Sequence, residues 1–484
     1  MSRFLRLSGT GLYVIALGLV ACSLQIRTGL WHGDAFWHLA NGLWMLQHGA
    51  VLHKDIWSWT AAGTPWNNLE WGYDLLIGFT YKLGGAYGPI GLTVVLALVA
   101  VWLADRLAQR AGVSAVWRLV YWTVAMCLIV VFVKIRPQMA SYALFPVLLL
   151  LLPWMEKAPW KKLLAGGFVL GLVWANLHGS FLLGFLIPAF FYVAVRVFEG
   201  RWERGYLLWA GAFFAGTLIN PNGPGLLLNV VAEMANPLMS AMILEWRSPN
   251  LHMLPLLVAL LVALAALCAG VFRNQVAGRK AVLWSFALVL LVAWLYSSRY
   301  IPYLLMALPW ATGWAWPRLR PVTALARQRG MQLLAVFLCA AFAWLVVGLP
   351  GNSVEAAASP TTPVKAVAYM KAHKLTCRVF NTYQWGGYLI FSGIKTWIDG
   401  RADLYMKTPI LSDFKQLYAM TDPSLVFNNP RLRPDVILAS TSRSQSTGPV
   451  DPYLSYVEAL GWRVVFSSGT SEVLVPPGGV VPCG

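Results

Sequence analysis

A chain of 484 residues with 58% hydrophobic residues, 12% charged residues and 25 tryptophans, at a mean hydropathy of +0.61, has more apolar surface than a water-soluble fold can bury; ordinary globular chains have about twice that charged fraction. Most of it is therefore expected to lie in lipid. The net charge of +18 would point to a nucleic acid in a soluble chain, but here the position of the cations between spans explains it and no nucleic-acid partner is needed.

Arg3 and Arg6 precede the first apolar stretch, residues 10–28. Leu19, Val20, Ala21 and Cys22 within it look like a lipoprotein cleavage box, although an ordinary first span accounts for the same residues. A first loop follows, about residues 30–85, holding seven Trp, four of the seven His (His32, His38, His48, His53) and four acids. Further apolar stretches cover residues 86–104, 115–133, 139–155, 163–179, 181–197, 205–219, 252–272, 281–298, 300–316 and 331–349, giving about eleven spans. The stretch 205–219 is short, but dropping it would move the basic turn at 273–280 to the other side. A second outer loop occupies about residues 220–250.

Composition changes after Pro350, where GNSVEAAASPTTP reads as a linker. Beyond it, Pro363–His373 and Leu454–Leu460 are predicted helices. Arg378–Asn381, Tyr388–Phe391, Lys395–Ile398, Asp435–Ala439, Trp462–Phe466 and Glu472–Val475 are predicted strands. The expected architecture is an α-helical polytopic membrane protein with about eleven spans and a small C-terminal α/β domain. Residues 1–350 would form the membrane domain, with its first outer loop at 30–85, and residues 351–484 an extracytoplasmic domain. No internal repeat or low-complexity tract is evident.

Every second connection is rich in cations: Arg106, Arg110, Arg118; Lys157, Lys161, Lys162; Arg196, Arg201, Arg204; Arg273, Arg279, Lys280; and Arg318, Arg320, Arg327, Arg329. The alternate connections hold only Arg27, Lys54, Lys82, Lys134, Arg136, Arg247 and Arg299. The positive-inside rule places the N-terminus in the cytoplasm, and an odd number of spans puts the C-terminal domain outside. Four of the six Cys fall in predicted spans; Cys377 and Cys483 are the pair that an oxidising compartment would allow to bridge.

The first 350 residues hold ten carboxylates, six of them on the predicted outer side: Asp34, Asp55, Glu70, Asp74, Glu233 and Glu245. Ionisable groups at a membrane face are costly unless they line a wet cavity, so this cluster is a candidate site; a solvated loop with interfacial Trp is the plainer alternative. His32, Asp34 and His38 lack a zinc spacing. A divalent cation such as Mg or Mn would need Asp34, Asp55 and Glu70 to fold together, so neither a metal site nor any other cofactor is assigned.

Lys134 and Arg136 in KIRPQ, Arg247 in EWRSP and Arg299 in SSRYIPY break the charge rule that other connections obey. An anionic partner such as a phosphate suits them; pairing with an outer carboxylate or snorkelling to lipid explains them equally. NLHGS, with Asn176 and His178, and INPNGPG, with Asn220 and Asn222, interrupt helices at the same predicted face.

One span, a long first outer loop opening on an acid in GDAFWHLANG, many further spans and a C-terminal outer domain together resemble the GT-C glycosyltransferases. That is the class of the protein mannosyltransferases and oligosaccharyltransferase subunits. The strings DIWSWTAAGTPWNNLEW, NTYQWGGYLIF and WIDGRADLY look like those of uncharacterised bacterial membrane proteins similar to that class.

The resemblance implies a transferase that moves a hexosyl or pentosyl group, with inversion, from a polyprenyl-phosphate donor to a glycan, lipid or protein acceptor. It would act at the extracytoplasmic face of a bacterial inner membrane. The first-loop acid of the class is the catalytic base, which here is Asp34, with Asp55 or Glu70 in support. Arg299, Arg136, Lys134, His178 and Arg247 would meet the donor phosphate, and Trp37, His38, Asp399 and Arg401 the substrates. The paired acids of some members are absent, Asp34 being followed by Ala35, which leaves the subfamily open. A lipid-linked-sugar flippase or transporter and a polysaccharide polymerase or ligase are the alternatives; the first would favour charges at mid-membrane in repeated halves.

Overall fold

A computed structural model describes residues 9–31, 33–237, 239, 243–272, 276–317, 324–441 and 453–479. In chain order the helices begin with α1 (Gly9–Thr28), α2 (Asp34–His48), α3 (Trp71–Gly84), α4 (Tyr87–Arg110), α5 (Ala115–Ile129), α6 (Gln138–Met155), α7 (Trp160–Ala175), α8 (Leu183–Glu199), α9 (Arg204–Thr217) and α10 (Gly225–Ala235). The described residues form two compact units. One takes the described residues within Met1–Arg27, Ile90–Pro224 and Asn236–Pro350; the other takes those within Thr28–Pro89, Gly225–Ala235 and Gly351–Gly484.

The first unit is helical. Counting α1, 8 helices among the described residues are long and apolar enough to cross a membrane: Gly9–Thr28, Tyr87–Arg110, Ala115–Phe132, Gln138–Met155, Gly179–Glu199, Leu254–Phe272, Arg279–Tyr296 and Arg329–Val347. The three other expected stretches are shorter helices: α7 with 16 residues, α9 with 14 and Ile301–Ala311 with 11. All of Ile301–Ala311 is buried, so its apolar run serves packing on every side, as expected of an all-round hydrophobic helix. On α7 and α9, a methyl group on Gly171 would strike the Phe213 carbonyl and one on Gly216 the Phe168 carbonyl. Small residues let these two backbones meet closely, as in other membrane helix pairs.

The second unit gathers the first loop with the C-terminal residues, so residues 28–89, expected as part of the membrane domain, pack with 351–484 instead. Its sheet has the order β1-β2-β4-β3, formed by β1 (Val379–Asn381), β2 (Val436–Ser440), β3 (Arg463–Ser467) and β4 (Ser471–Val475). β1 and β2 are parallel, while β4 runs antiparallel to both β2 and β3. The loop between α2 and α3 folds back on itself, with Asp55 N to Thr64 O at 2.9 Å and Trp66 N to His53 O at 2.9 Å. It then extends the sheet edge: Ser58 bridges Thr396, and Thr396 bridges Val379. Trp59 Nε1 donates to Val379 O at 3.1 Å.

This edge is why the loop folds with residues far along the chain. An irregular backbone needs partners for its polar groups, and its indoles need an apolar bed. Lys395–Ile398, expected as a strand, contributes only the bridge at Thr396. Tyr388–Phe391, also expected as a strand, lies in a helix, Gly386–Phe391; a four-residue apolar run fits either state. Cys377 is disulfide-bonded, and Cys483 lies outside the described residues, as do His32, Arg273, Arg318 and Arg320. Cys22, Cys127, Cys268 and Cys339 are free.

Candidate active site

Gly33, at φ 47, turns the chain into α2 and puts Asp34 in the first helical turn, where the helix dipole favours a carboxylate. Asp34 is half-buried, and Trp37 Nε1 donates to its Oδ1 at 3.3 Å. Gly400 lies against the same oxygen, which a methyl group there would strike. Gly387 abuts the Gly33 carbonyl, and Gly386 the Asp399 Cβ. The strings GDAFWH, QWGG and IDGRAD, distant in sequence, thus converge on one carboxylate, and bulk at these glycines would prevent it.

Beneath Asp34 lies a buried ionic lattice. Arg401 Nε and Nη2 grip Asp399 at 2.8 and 2.7 Å, and Arg401 Nη1 reaches Asp55 at 2.7 Å. All three side chains are 0% exposed. Asp55 also accepts from the Ser58 hydroxyl at 2.6 Å and from the backbone N–H groups of Trp57 and Ser58. Tyr405 donates to Asp399 Oδ2 at 2.7 Å. Burial opposes the charge on Asp399, yet Arg401 and Tyr405 hold its carboxyl below the usual range. Asp403 differs: burial pushes its carboxyl up, although Trp66 Nε1 donates to it at 2.8 Å. The Arg401 guanidinium lies over the Trp66 ring, 4.9 Å from its centroid.

Asp74 is the acid whose place the sequence did not disclose. It is fully buried and accepts from Asn68 at 2.8 Å and Asn41 at 3.3 Å, while His38 Nδ1 lies 2.6 Å away. Asn41 in turn accepts from Trp57 Nε1 at 2.6 Å. His38 Nε2 is 3.7 Å from Glu70, whose side chain is 22% exposed. The Trp37 ring lies tilted against His38, with centroids 3.6 Å apart. α2 and α3 come close enough for this because Gly42 and Gly78 face each other with no room for a side chain.

The predicted phosphate-binding residues belong to the helical unit. Arg136 Nη1 is 3.1 Å and Lys134 Nζ 3.5 Å from Glu245 Oε1, so both have a carboxylate partner. Arg299 lies over the Trp246 ring, 4.6 Å from its centroid. Burial opposes the charge on Glu245, but Arg136, Lys134 and Arg299 together hold its carboxyl below the usual range. Arg247 is exposed, and its carbonyl accepts from Ser298 N and Oγ at 2.9 and 3.0 Å. His178 is buried in a hydroxyl network: Nδ1 is 2.8 Å from Ser141 Oγ and 2.8 Å from Ser180 Oγ, and Tyr303 donates to Ser180 at 3.3 Å.

Among the described residues no three His, Cys, Asp or Glu side chains are grouped to hold a metal ion. Asp55 faces Arg401 and Glu70 faces His38.

Two solved structures share the architecture. The Archaeoglobus fulgidus oligosaccharyltransferase in its apo form aligns with a TM-score of 0.52 at 10% identity, over 90% of this chain and 70% of that one. The same enzyme tethered to an acceptor peptide containing the NVT sequon aligns with a TM-score of 0.51 at 10% identity, over 90% and 69%. The chain has an oligosaccharyltransferase-like fold. No protein-family model and no curated protein sequence matches it.

Proposed function

We propose that this membrane protein is a GT-C-type glycosyltransferase that takes a sugar from a polyprenyl-phosphate donor, with Asp34 as the base on the acceptor. The observation that carries the reading is how the acids of the first loop divide. Asp55 and Asp74 are fully buried and held by donors on several sides, whereas Asp34 keeps an exposed face on a helix start beside Trp37. The partial exposure of Asp34 supports a role as the base on an acceptor hydroxyl, and the burial of Asp55 supports a role as a tether for the loop. The oligosaccharyltransferase-like fold supports the same reaction class.

In this mechanism Asp34 takes the proton as the acceptor oxygen attacks the anomeric carbon. The bond from that carbon to the phosphate oxygen breaks, and the electron pair leaves with the lipid phosphate. Lys134, Arg136 and Arg299, which lie near Glu245 in the helical unit, are proposed as the groups that meet a donor phosphate. Glu70 and His38, held by Asp74, would orient the sugar, with Trp37 and Trp66 as apolar walls. Arg401 and Asp399 support the substrate side indirectly, as the lattice beneath Asp34. The eighteen cations in alternate connections support a cytoplasmic N-terminus, and the Cys377 disulfide supports an oxidising, extracytoplasmic place for the second unit.

The test incubates purified protein with radiolabelled polyprenyl-phosphate sugars and a mixture of acceptors, comparing wild type with Asp34→Asn. Transfer by the wild type alone is expected. If neither protein consumes donor while the labelled lipid moves between leaflets of a vesicle, a flippase replaces the enzyme.

A further inference from the structure

The helical unit contains a further cavity. A partly open cavity of about 260 Å³ is lined by Leu107 and Arg110 at the end of α4, Leu149 on α6, Leu283 on the helix Arg279–Tyr296, and Trp310 and Trp314. Protein interiors seldom leave voids much larger than a water molecule, and water gains little from an apolar wall. In a bilayer the filler for such a space is an acyl chain.

Three features give this occupant a charge. Arg110 lines the cavity, and Arg106 stands one helical turn before it on α4. Lys280 Nζ lies over the Trp314 ring, 5.3 Å from its centroid. The Trp314 indole N–H is buried with no hydrogen-bond acceptor among the described residues, and buried N–H groups ordinarily find one. Trp314 is held in place because its ring packs on Gly270, where a methyl group would strike it. The lining residues fall at the end of α4, near the end of α6 and near the start of Arg279–Tyr296. They therefore share the helix ends that carry the basic turns, at headgroup depth.

We propose that this cavity binds one anionic phospholipid of the surrounding bilayer, with an acyl chain between Leu107, Leu149 and Leu283. Its phosphate would lie on Arg110 and Lys280, and a phosphate or ester oxygen would accept from Trp314. Basic pockets between membrane helices recognise anionic headgroups in this way. The site is independent of sugar transfer.

The test exchanges full-length protein into micelles with equimolar phosphatidylglycerol and phosphatidylcholine, then counts retained lipids by native mass spectrometry. Wild type is expected to retain phosphatidylglycerol preferentially. Arg110→Gln should lower that preference about fivefold, the effect of one interfacial cation, with phosphatidylcholine unchanged. Leu283→Trp, which fills the cavity, should lower retention of both. Arg196→Gln removes a basic group that rests on Trp202 and should change nothing. Equal retention of the two lipids by wild type, or equal losses in Arg110→Gln and Arg196→Gln, would overturn the assignment.

Discussion

Replacing Arg401 by methionine keeps the volume roughly constant and removes the charge on which the second unit is built. The guanidinium makes three charge-assisted hydrogen bonds, at 2.7 and 2.8 Å, to two carboxylates that are 0% exposed. Breaking a buried pair this way costs about 3–5 kcal/mol, because charges are left without a partner. Asp55 keeps Ser58 and two backbone donors, and Asp399 keeps Tyr405 and Thr396. The loss should therefore sit near 3 kcal/mol, which lowers the melting temperature of a unit this size by roughly 6–12 °C.

The pH dependence gives the sign. Asp399 has a depressed carboxyl, so its stabilisation is complete above the ordinary carboxylate range, near pH 4, and is lost as pH falls below it. In Arg401→Met that acid-side loss should vanish, because the cation holding the carboxyl down is gone. The assay is thermal unfolding of the full-length protein in detergent, followed by tryptophan fluorescence across pH. Arg401→Lys, which keeps the charge but not the two-pronged grip, should fall between the two. Melting of Arg401→Met within about 2 °C of the parent, less than 1 kcal/mol, would refute the account of the lattice.

Three further outcomes follow from the geometry. Gly400→Ala puts a methyl group on Asp34 Oδ1 and should slow transfer about a hundredfold through misplacement of the base, with donor KM unchanged; an unaltered kcat would contradict the placement. Asp403 has a raised carboxyl, so its contribution is full below the ordinary Asp range and is lost as pH rises. Asp403→Asn, which can still accept from Trp66, should remove that alkaline-side decline, and parallel melting profiles between pH 4 and 8 would argue against it. Glu245→Gln removes the anion that competes at Lys134 and Arg136; pyrophosphate should then inhibit transfer at concentrations up to about fivefold lower, whereas weaker inhibition would exclude these cations as the phosphate partner.

Much of this was legible in the sequence where one signal dominates. Long apolar runs are unambiguous, and the 8 helices of spanning length among the described residues all fall on predicted stretches. Hydropathy gives the length of an apolar run but not what covers it: Ile301–Ala311 is buried by protein on every side, a surrounding its sequence does not distinguish from lipid. The first loop stood out for its acids and indoles, but not for what it packs on. The Arg401–Asp55 bond joins residues 346 positions apart, and no periodicity reports such a pairing. Asp74 looked like any loop acid, because its role is set by Asn41, Asn68 and His38, which come together only when Gly42 meets Gly78. The glycines of QWGG and IDGRAD were visible as strings, while the reason for them, close approach to Asp34 and Asp399, is visible only in three dimensions.

The most direct measurement is the single-turnover rate of Asp34→Asn. The amide keeps the size of the carboxylate and its acceptor oxygen for Trp37, so donor binding and melting temperature should match the wild type while the rate falls by about 10²–10⁴. A rate within about threefold of wild type would show that Asp34 takes no proton in the reaction.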